Sequence, residues 1–191
     1  RIKYIVSDTS EIDKKLIKFK NKIHSLFHFG EFSRIFKSFE KFDDCLKSNS
    51  LGTNAVFKFC LENKIKLIYS ATSATLGNNS NDKNLSPYAF TKSKNLELLE
   101  NLKKWFKFKY EVIYFYNVYG PRQISIGPMA TVIGIFENHY KENKPLPVVK
   151  PGSQTRRFTH VDDTIKVCYE AWKRNKCSHY SISNKKIYSI K

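Results

Sequence analysis

The stretch Lys66-Leu67-Ile68-Tyr69 has the length and apolar character of a buried strand, and it runs directly into the hydroxyl-rich segment Ser70-Ala71-Thr72-Ser73-Ala74-Thr75-Leu76-Gly77. A helix is predicted from Ser86-Pro87 to about residue 103, because Ser is a preferred N-cap and Pro is favoured at the first helical position. Residues 111–116 form the next apolar run and predict a second strand. A strand, a helix and a second strand in this order form a βαβ unit, which predicts a parallel sheet.

The same alternation continues on both sides of this unit. Before it, the sequence predicts strands at residues 3–6 and 25–29 and a helix at 51–62. After Gly120 it predicts a smaller lobe, with a helix at about 129–141, a strand at 157–161 and a helix at 162–172. The expected fold class is therefore α/β, a doubly wound parallel sheet with a smaller C-terminal lobe. Such sheets bind ligands beyond the carboxyl ends of their strands.

The composition excludes several classes of protein. A chain of 191 residues with 41% hydrophobic residues can bury a core, so global disorder is not expected. No apolar run reaches the ~20 residues of a membrane span, no signal peptide is visible, and the chain opens without Met. The four cysteines have no metal-ligand spacing and predict free thiols in a reducing cytoplasm. We therefore expect a cytoplasmic protein without a membrane partner or a metal site.

The net charge of +17 raises the possibility of nucleic-acid binding. The charge comes from 28 Lys against 6 Arg, in a composition also rich in Ile, Asn and Phe, which is typical of a codon bias. The Lys residues are scattered over predicted helical surfaces and form no stripe with aromatic platforms. We expect no nucleic-acid partner, although the positive field favours any phosphate-bearing ligand.

Tyr88 and Lys92 are the first candidate for chemistry, because residues four apart on a helix project to the same side. An ammonium close to a phenol lowers the phenol pKa, which makes Tyr88 a candidate general base, and Lys92 can also hold a ribose hydroxyl. This pattern is weak when it occurs alone. Three companions strengthen it: the hydroxyl-rich segment, the strand end at residues 117–122, and residues 152–163, where a guanidinium could grip a diphosphate.

The motifs together resemble those of the extended short-chain dehydrogenases/reductases, specifically the NAD-dependent nucleotide-sugar epimerase/dehydratase family. Phe27-His28-Phe29-Gly30 is similar to the family's FHLA strand end, and Asn49-Ser50-Leu51-Gly52-Thr53 to its NxxGT helix start. The hydroxyl-rich segment, Y-x-x-x-K, NVYGPR and RxFxHVDD then follow in family order over nearly the whole chain. The resemblance implies a Rossmann-like sheet and the cofactor NAD. It divides the chain into a partial NAD-binding domain, residues 1–120, and a partial substrate-binding lobe, residues 121–191, whose last strand at about 178–183 returns toward the sheet.

The resemblance also implies roles for individual residues. Tyr88 corresponds to the catalytic base, Lys92 to its partner on the nicotinamide ribose, and Thr72 to the hydroxyl that contacts the sugar. The residues implied in cofactor binding are Phe29, Gly30, Glu31, Ser33, Asn49, Ser70, Tyr88, Lys92, Tyr116 and Asp8. Those implied in substrate binding are Thr72, Ser73, Asn117 and Arg156, with Arg156 on the diphosphate.

Three departures from the family pattern qualify this prediction. The G-x-x-G-x-x-G phosphate loop is absent, so we expect the chain to begin after the first βαβ unit, to end before the family's last helices, and to retain the cofactor poorly on its own. Glu31 stands where the family has a small residue. Leu76 replaces a common Tyr.

Several reactions are compatible with the family. Dehydratases and decarboxylases carry a carboxyl group next to the Thr72 position, where this chain has Ser73 and Ala74. Heptose 6-epimerases use a Lys where Ile126 stands. We therefore expect 4-epimerisation of a UDP-hexose through a 4-keto sugar, with dehydration, decarboxylation and 6-epimerisation as alternatives. A catalytically silent Rossmann-like binding scaffold is the alternative from another class. The family also implies a homodimer through the helices at 51–62 and 87–103.

Overall fold

A computed structural model describes residues 2–76 and 84–190, with the backbone alone described at Ala74. Gly77, the last residue of the hydroxyl-rich segment, lies outside the described residues. The chain divides into two compact units, Arg1–Tyr114 with Ala171–Tyr180, and Phe115–Glu170 with Ser181–Lys191. This division passes between Tyr114 and Phe115, whereas the sequence placed the domain boundary after Gly120.

Strands and helices alternate along the described residues. The strands are β1 (Ser25–His28), β2 (Lys66–Thr72), β3 (Tyr110–Phe115), β4 (Val118–Tyr119), β5 (Thr155–Arg156), β6 (Thr159–His160), β7 (His179–Ser181) and β8 (Tyr188–Ser189). The α-helices are α1 (Ile12–Leu16), α2 (Lys37–Glu40), α3 (Phe42–Leu46), α4 (Thr53–Glu62), α5 (Pro87–Phe106), α6 (Val132–Lys141) and α7 (Val161–Lys173). Short 3-10 turns lie at Thr9–Glu11, Ile17–Lys22 and Ser73–Thr75, and a π-helical segment, Lys47–Gly52, leads into α4.

The main sheet has the strand order β1-β2-β3-β7. β1 and β2 pair in parallel, with Ser25 opposite Lys66 and His28 opposite Tyr69. Every residue of β2 is buried, and so are five of the six residues of β3, as expected for strands covered on both faces. The predicted α/β fold is confirmed, together with the two strands of the βαβ unit, and β7 lies next to β3 in the sheet.

The strand predicted at residues 3–6 is wrong. The segment forms no strand, and its apolar side chains are exposed, Val6 by 97%. A strand needs a neighbouring strand for its backbone hydrogen bonds, and a short apolar run does not supply one. The first helical turn begins instead at Thr9, where the Asp8 side chain accepts from the backbone N–H of Ser10.

Helix α5 carries the predicted pair of site residues. The Ser86 hydroxyl caps it by accepting from the backbone N–H of Ala89 at 3.1 Å, and Pro87 occupies the first turn. The helix ends where Lys107 adopts a left-handed conformation, with φ 54°. One face of the helix is buried, and it consists of Tyr88, Ala89, Thr91, Lys92, Asn95, Leu99 and Leu102.

The second unit contains two small sheets. β4 pairs in parallel with β6, and β5 pairs antiparallel with β8. Helix α6 begins three residues later than the sequence predicted, and helix α7 covers the predicted 162–172.

Within the described ranges no helix combines the length and apolar character needed to cross a lipid bilayer. The described residues also contain no cluster of three or more metal-ligating side chains.

Candidate active site

The carboxyl ends of β1 and β2 form one edge of the main sheet. Because the strands are parallel and His28 lies opposite Tyr69, the segment after β1 runs beside residues 70–72. The buried face of α5 supplies Tyr88 and Lys92 to the same edge, where Lys92 donates to the backbone carbonyl of Ser70 at 2.6 Å. This edge is where a parallel sheet is expected to bind its ligand.

Tyr88 and Thr72 share a hydrogen bond between their side chains. Both residues are buried, and Tyr88 is 7% exposed. The backbone N–H of Tyr88 also donates to the Ser38 hydroxyl at 3.3 Å, which ties the first turn of α5 to α2. The structure therefore brings together a phenol and a hydroxyl that the sequence placed at the end of a strand and on the following helix.

Lys92 is held by a buried ion pair with Glu31. The side chains of the two residues are 4% and 2% exposed. The Lys92 ammonium also lies over the Tyr69 ring, 4.8 Å from its centroid. The Lys92 charge is thus compensated inside the protein by a carboxylate that stands where the family has a small residue.

Glu31 accepts three further hydrogen bonds. Its Oε1 accepts from the Thr53 hydroxyl at 2.7 Å, the Tyr69 hydroxyl at 3.1 Å and the Asn95 amide at 3.3 Å. The side chain was predicted to line the cofactor, but its carboxylate is directed at protein donors. Any effect of Glu31 on a ligand would pass through these neighbours, above all through Lys92.

The expected electrostatics of the Tyr88–Lys92 pair are wrong for this structure. Burial raises the pKa of Tyr88, and the Glu31 carboxylate acts in the same direction, while the hydrogen bond to Thr72 and the charge of Arg34 oppose the rise. Burial lowers the pKa of Lys92, and Glu31 opposes that shift. The sequence argument failed because it omitted the burial of the phenol, which is the largest cause of the raised pKa of Tyr88, and the Glu31 carboxylate that pairs with Lys92.

Asn49 anchors the segment that follows β1. Its side-chain carbonyl accepts from the backbone N–H of Phe32 at 2.8 Å, and its amide donates to the backbone carbonyl of Phe32 at 3.0 Å. The fully buried amide therefore clamps one residue of irregular backbone from both sides. Asn95 donates to the Asn49 carbonyl at 2.7 Å and links this anchor to α5.

Gly52 and Thr53 complete the NxxGT motif. A Cβ on Gly52 would lie 2.2 Å from the Thr9 hydroxyl oxygen, so the close approach of these two segments requires glycine. Thr53 follows at the start of α4 and reaches both His28, at 3.0 Å, and Glu31. The motif thus contributes to the site through the hydrogen bonds of Thr53 and the close packing at Gly52.

The other residues predicted in the first unit lie at or near the surface. Phe29, Gly30 and Ser33 are exposed after β1, and nothing lies within 4 Å of a Cβ built on Gly30. Ser73 opens the 3-10 turn after β2. Asp8 caps the first turn and pairs with Lys47 at 3.6 Å, and the backbone N–H of Ser10 holds the pKa of Asp8 below its ordinary value.

Three predicted residues belong to the second unit. Tyr116 is half-buried, and Asn117, which has φ 38°, donates to the backbone carbonyl of Arg157 at 3.0 Å. Arg156 is exposed and donates to the backbone carbonyl of Thr155 at 2.8 Å. Their roles toward substrate and cofactor stay predictions.

The sequence reasoning missed Asn95, Thr53 and Arg34. Asn95 had a signal, since it lies three residues after Lys92 and seven after Tyr88 on the same helical face. Thr53 was quoted only as part of a motif. Arg34 had no signal, because it lies in an irregular segment whose path no periodicity predicts.

The fold and the site define a class, α/β proteins with a buried tyrosine and lysine at the carboxyl ends of parallel strands. The model of the NAD dependent epimerase/dehydratase family matches residues 3–183, and the chain belongs to this family. NAD is the cofactor of the family.

Individual relatives agree with this assignment. The ADP-L-glycero-D-manno-heptose-6-epimerase of Brachyspira hyodysenteriae is 31% identical over 159 residues, which are 77% of this chain and 49% of the relative. The UDP-glucose 4-epimerase of Thermotoga maritima, solved with UDP-glucose, shares the fold with a TM-score of 0.88 at 20% identity, over 96% of this chain and 63% of that one. The UDP-glucuronic acid 4-epimerase of Bacillus cereus, solved with UDP-glucuronic acid and NAD, has a TM-score of 0.79 and 25% identity, over 96% and 59%. The chain spans about half the length of the curated relatives it matches.

Proposed function

We propose that this protein is an NAD-dependent nucleotide-sugar epimerase in which Tyr88 takes and returns the proton of a sugar hydroxyl. The observation that carries the proposal is the hydrogen bond between the buried phenol of Tyr88 and the hydroxyl of Thr72. A general base must lie within hydrogen-bond reach of the proton that it removes, and a sugar hydroxyl beside Thr72 would lie within reach of the Tyr88 phenol. Lys92, one helical turn further on, supplies a cation to the same edge of the sheet.

The residues around Tyr88 fit the family's cofactor. When bound, NAD supplies the acceptor and later the donor of a hydride at the sugar carbon. Among the described residues, the Lys92 ammonium gives two of its three N–H groups to Glu31 and Ser70, which leaves one for a ribose hydroxyl. The open space around Gly30 allows a ligand to approach the backbone. We assign the other cofactor contacts to Phe29, Ser33, Ser70, Tyr116 and Asp8, while the buried Asn49 would support the pocket through its hydrogen bonds to Phe32.

Each proton transfer in the proposed reaction has an assigned residue. To accept the hydroxyl proton of the sugar, Tyr88 would have to be in its phenolate form, which the hydrogen bond from Thr72 and the charge of Arg34 favour against the effect of burial. After the keto sugar has turned its other face to the cofactor, Tyr88 would give the proton back to the sugar oxygen. Atoms and charges balance over the cycle, and no water is consumed.

We assign the reaction to C4 of a UDP-hexose. Dehydration and decarboxylation lack the carboxyl group next to Thr72 that those reactions use in the family, since Ser73 and Ala74 follow it. Asn117 and Arg156 are the residues we assign to the substrate phosphates, because an amide and a guanidinium suit phosphate oxygens.

A second candidate is epimerisation at C6 of an ADP-heptose. The relative from Brachyspira hyodysenteriae, with 31% identity over 77% of this chain, favours it. Against it stands Ile126, at the position where heptose 6-epimerases of the family use a Lys.

We further propose a cytoplasmic homodimer that associates through α4 and α5. Exposed apolar side chains on and beside these helices support this interface, since Leu51 and Phe90 are both exposed. Four free cysteines support a reducing compartment.

The test is turnover of UDP-glucose by the complete protein with catalytic NAD in D2O, followed by proton NMR at C4. We expect UDP-galactose that retains hydrogen at C4, because a hydride that leaves and returns does not exchange with solvent. Tyr88→Phe should lower kcat by about 10²–10⁴-fold, the usual contribution of a general base. Tyr140→Phe, a change at an exposed tyrosine of α6, is the matched control and should leave kcat unchanged.

Two other outcomes would redirect the assignment. Turnover of an ADP-heptose without turnover of UDP-glucose would move the reaction to the second candidate. NAD binding without turnover of either sugar would leave the silent binding scaffold as the better description.

A further inference from the structure

The Glu31 carboxylate is surrounded by hydrogen-bond donors from three elements. Lys92 and Asn95 approach it from α5, Thr53 from α4 and Tyr69 from β2. The side chain is 2% exposed, so these protein groups replace water around the carboxylate. Each of these donors gives the carboxylate oxygens a hydrogen bond that water would otherwise provide.

The hydrogen atoms around Glu31 have one consistent arrangement. If the Thr53 hydroxyl donates to Glu31, its oxygen must accept from His28 Nε2, which lies 3.0 Å away. Burial lowers the pKa of His28, which agrees with a neutral ring that carries its proton on Nε2. The Tyr69 hydroxyl donates to Glu31 in the same way and accepts from Asn95 at 3.1 Å. In this arrangement the Thr53 and Tyr69 hydroxyl groups each donate to Glu31 and accept one hydrogen bond from a neighbouring side chain.

The backbone that carries Glu31 is fixed as firmly as its side chain. Glu31 follows β1 by three residues, and the next residue, Phe32, is clamped through its N–H and its carbonyl by the Asn49 side chain. The Ser48 hydroxyl also accepts from the Phe32 N–H, at 3.0 Å. Because both its backbone and its side chain are held by hydrogen bonds, Glu31 can fix the position of the Lys92 ammonium.

We propose that Glu31 is a positioning residue of the epimerase site, which holds the Lys92 ammonium in place. The role in turnover rests on the proposed function, whereas the role toward Lys92 does not. With two N–H groups of Lys92 committed to Glu31 and the Ser70 carbonyl, the remaining N–H has a defined position for a ligand hydroxyl. A flexible lysine without this partner would lose rotamer entropy whenever it bound the ligand.

The charge of Glu31 predicts the sign of a pH effect. Its negative charge raises the pKa of the Tyr88 phenol, so removing the charge makes the phenolate form accessible at lower pH. Arg34 acts on the phenol in the opposite sense. The titratable or charged groups that face Glu31 are His28 from β1, Cys45 from α3, Tyr69 from β2, and Tyr88 and Lys92 from α5.

The experiment compares Glu31→Gln with Glu31→Asp in the complete protein. An amide cannot accept from Lys92 and from three further donors at once, so Glu31→Gln should weaken NAD binding about tenfold in a fluorescence titration, the equivalent of one lost hydrogen bond to a charged group. The acid limb of the pH profile of kcat/KM should move to lower pH, because a charge that raises the pKa of Tyr88 is removed. Glu31→Asp keeps the charge, so its acid limb should stay in place, and its NAD affinity should recover in part. Glu40→Gln, at an exposed carboxylate of α2, is the control and should change neither quantity.

The outcomes separate this proposal from the proposed function. Absence of turnover in the unsubstituted protein would contradict the epimerase assignment, while the NAD titration would still test the positioning role. Unchanged NAD affinity in Glu31→Gln, or an acid limb that stays in place, would overturn the role of Glu31. If Glu31→Gln does not fold, the double variant Glu31→Gln/Lys92→Met should restore folding, because it removes both charges of the pair. A double variant that binds NAD as tightly as the unsubstituted protein would equally overturn the proposal.

Discussion

Lys66 and Glu111 form a second buried ion pair, at the ends of β2 and β3 opposite to the candidate site. Their side chains are 6% and 0% exposed, and Lys66 Nζ lies 3.7 Å from Glu111 Oε1. Lys66 also donates to the backbone carbonyls of Trp172 and Arg174. Glu111 in turn accepts from two backbone N–H groups, those of Lys176 at 2.9 Å and Ser178 at 3.0 Å. The pair therefore fastens the chain that leads into β7 to the central strands.

Removing one partner of this pair should be more costly than removing both. Glu111→Ala leaves the Lys66 charge buried and two backbone N–H groups without their acceptor, so we expect a loss of about 3–5 kcal/mol in the free energy of unfolding. Lys66→Met/Glu111→Leu should recover most of the charge-related loss. Urea denaturation measures both, with Glu62→Ala at an exposed site of α4 as the control. A double variant as unstable as Glu111→Ala would contradict this account.

At the scale of single residues, the sequence predicted where candidate side chains lie in the fold better than it predicted the burial and the charges around them. The spacing of Tyr88 and Lys92 singled out this pair, and the family resemblance singled out Thr72 in the hydroxyl-rich segment. Their electrostatics depended on Glu31, which lies 61 residues from Lys92 along the chain. Spacing along a helix carries no information about how deeply a phenol is buried or about a carboxylate from an irregular segment, so the predicted pKa direction of Tyr88 was wrong.

At the scale of elements, helix α5 depends on its cap. The Ser86 hydroxyl is buried and accepts a hydrogen bond from the backbone N–H of Ala89. This N–H lies in the first turn of the helix and has no carbonyl acceptor within the helix. Ser86→Ala should therefore reduce the free energy of unfolding by about 1 kcal/mol. Because Tyr88 lies in this first turn, kcat of the proposed reaction should fall more than the small loss of folded protein explains.

A matched substitution separates the cap from the hydroxyl group itself. Ser93→Ala, in the interior of the same helix, replaces Ser with a better helix former and should leave stability unchanged or slightly higher. Urea unfolding of the two variants is the measurement. Equal losses in both would show that capping at Ser86 contributes nothing particular.

The elements were predicted wherever a local signal and the tertiary environment agreed. β2 and β3 are apolar runs that the fold buries, and α5 has a Ser-Pro start that the structure uses as a cap. Residues 3–6 have a similar apolar pattern, but the described residues provide no strand to pair with them. The irregular segment at residues 29–36 carries Glu31 and Arg34, and its path is fixed by Asn49 from a distant position in the sequence. Local pattern alone could not predict it.

At the scale of the whole molecule, the net charge of +17 creates a field that attracts anions. A nucleotide sugar carries two phosphate charges, so its association should be accelerated at low ionic strength and slowed when salt screens the field. We expect kcat/KM of the proposed reaction to fall about threefold to tenfold when ionic strength rises from ~10 mM to ~150 mM. The value of kcat at saturating substrate should stay constant, because screening acts on the encounter and much less on buried groups.

The same salt series tests the alternative that the charge serves nucleic acid. A protein that neutralises many phosphates of duplex DNA shows binding that weakens steeply with salt, with a logarithmic slope close to the number of contacts. Scattered Lys residues without an aligned stripe should give weak binding to random duplex with a shallow slope. Tight duplex binding with a steep salt slope, combined with a kcat/KM for the nucleotide sugar that does not change with salt, would contradict this expectation. The surface charge would then be an interface for nucleic acid. A fall in kcat/KM together with shallow duplex binding would mean that the charge serves small phosphate-bearing ligands.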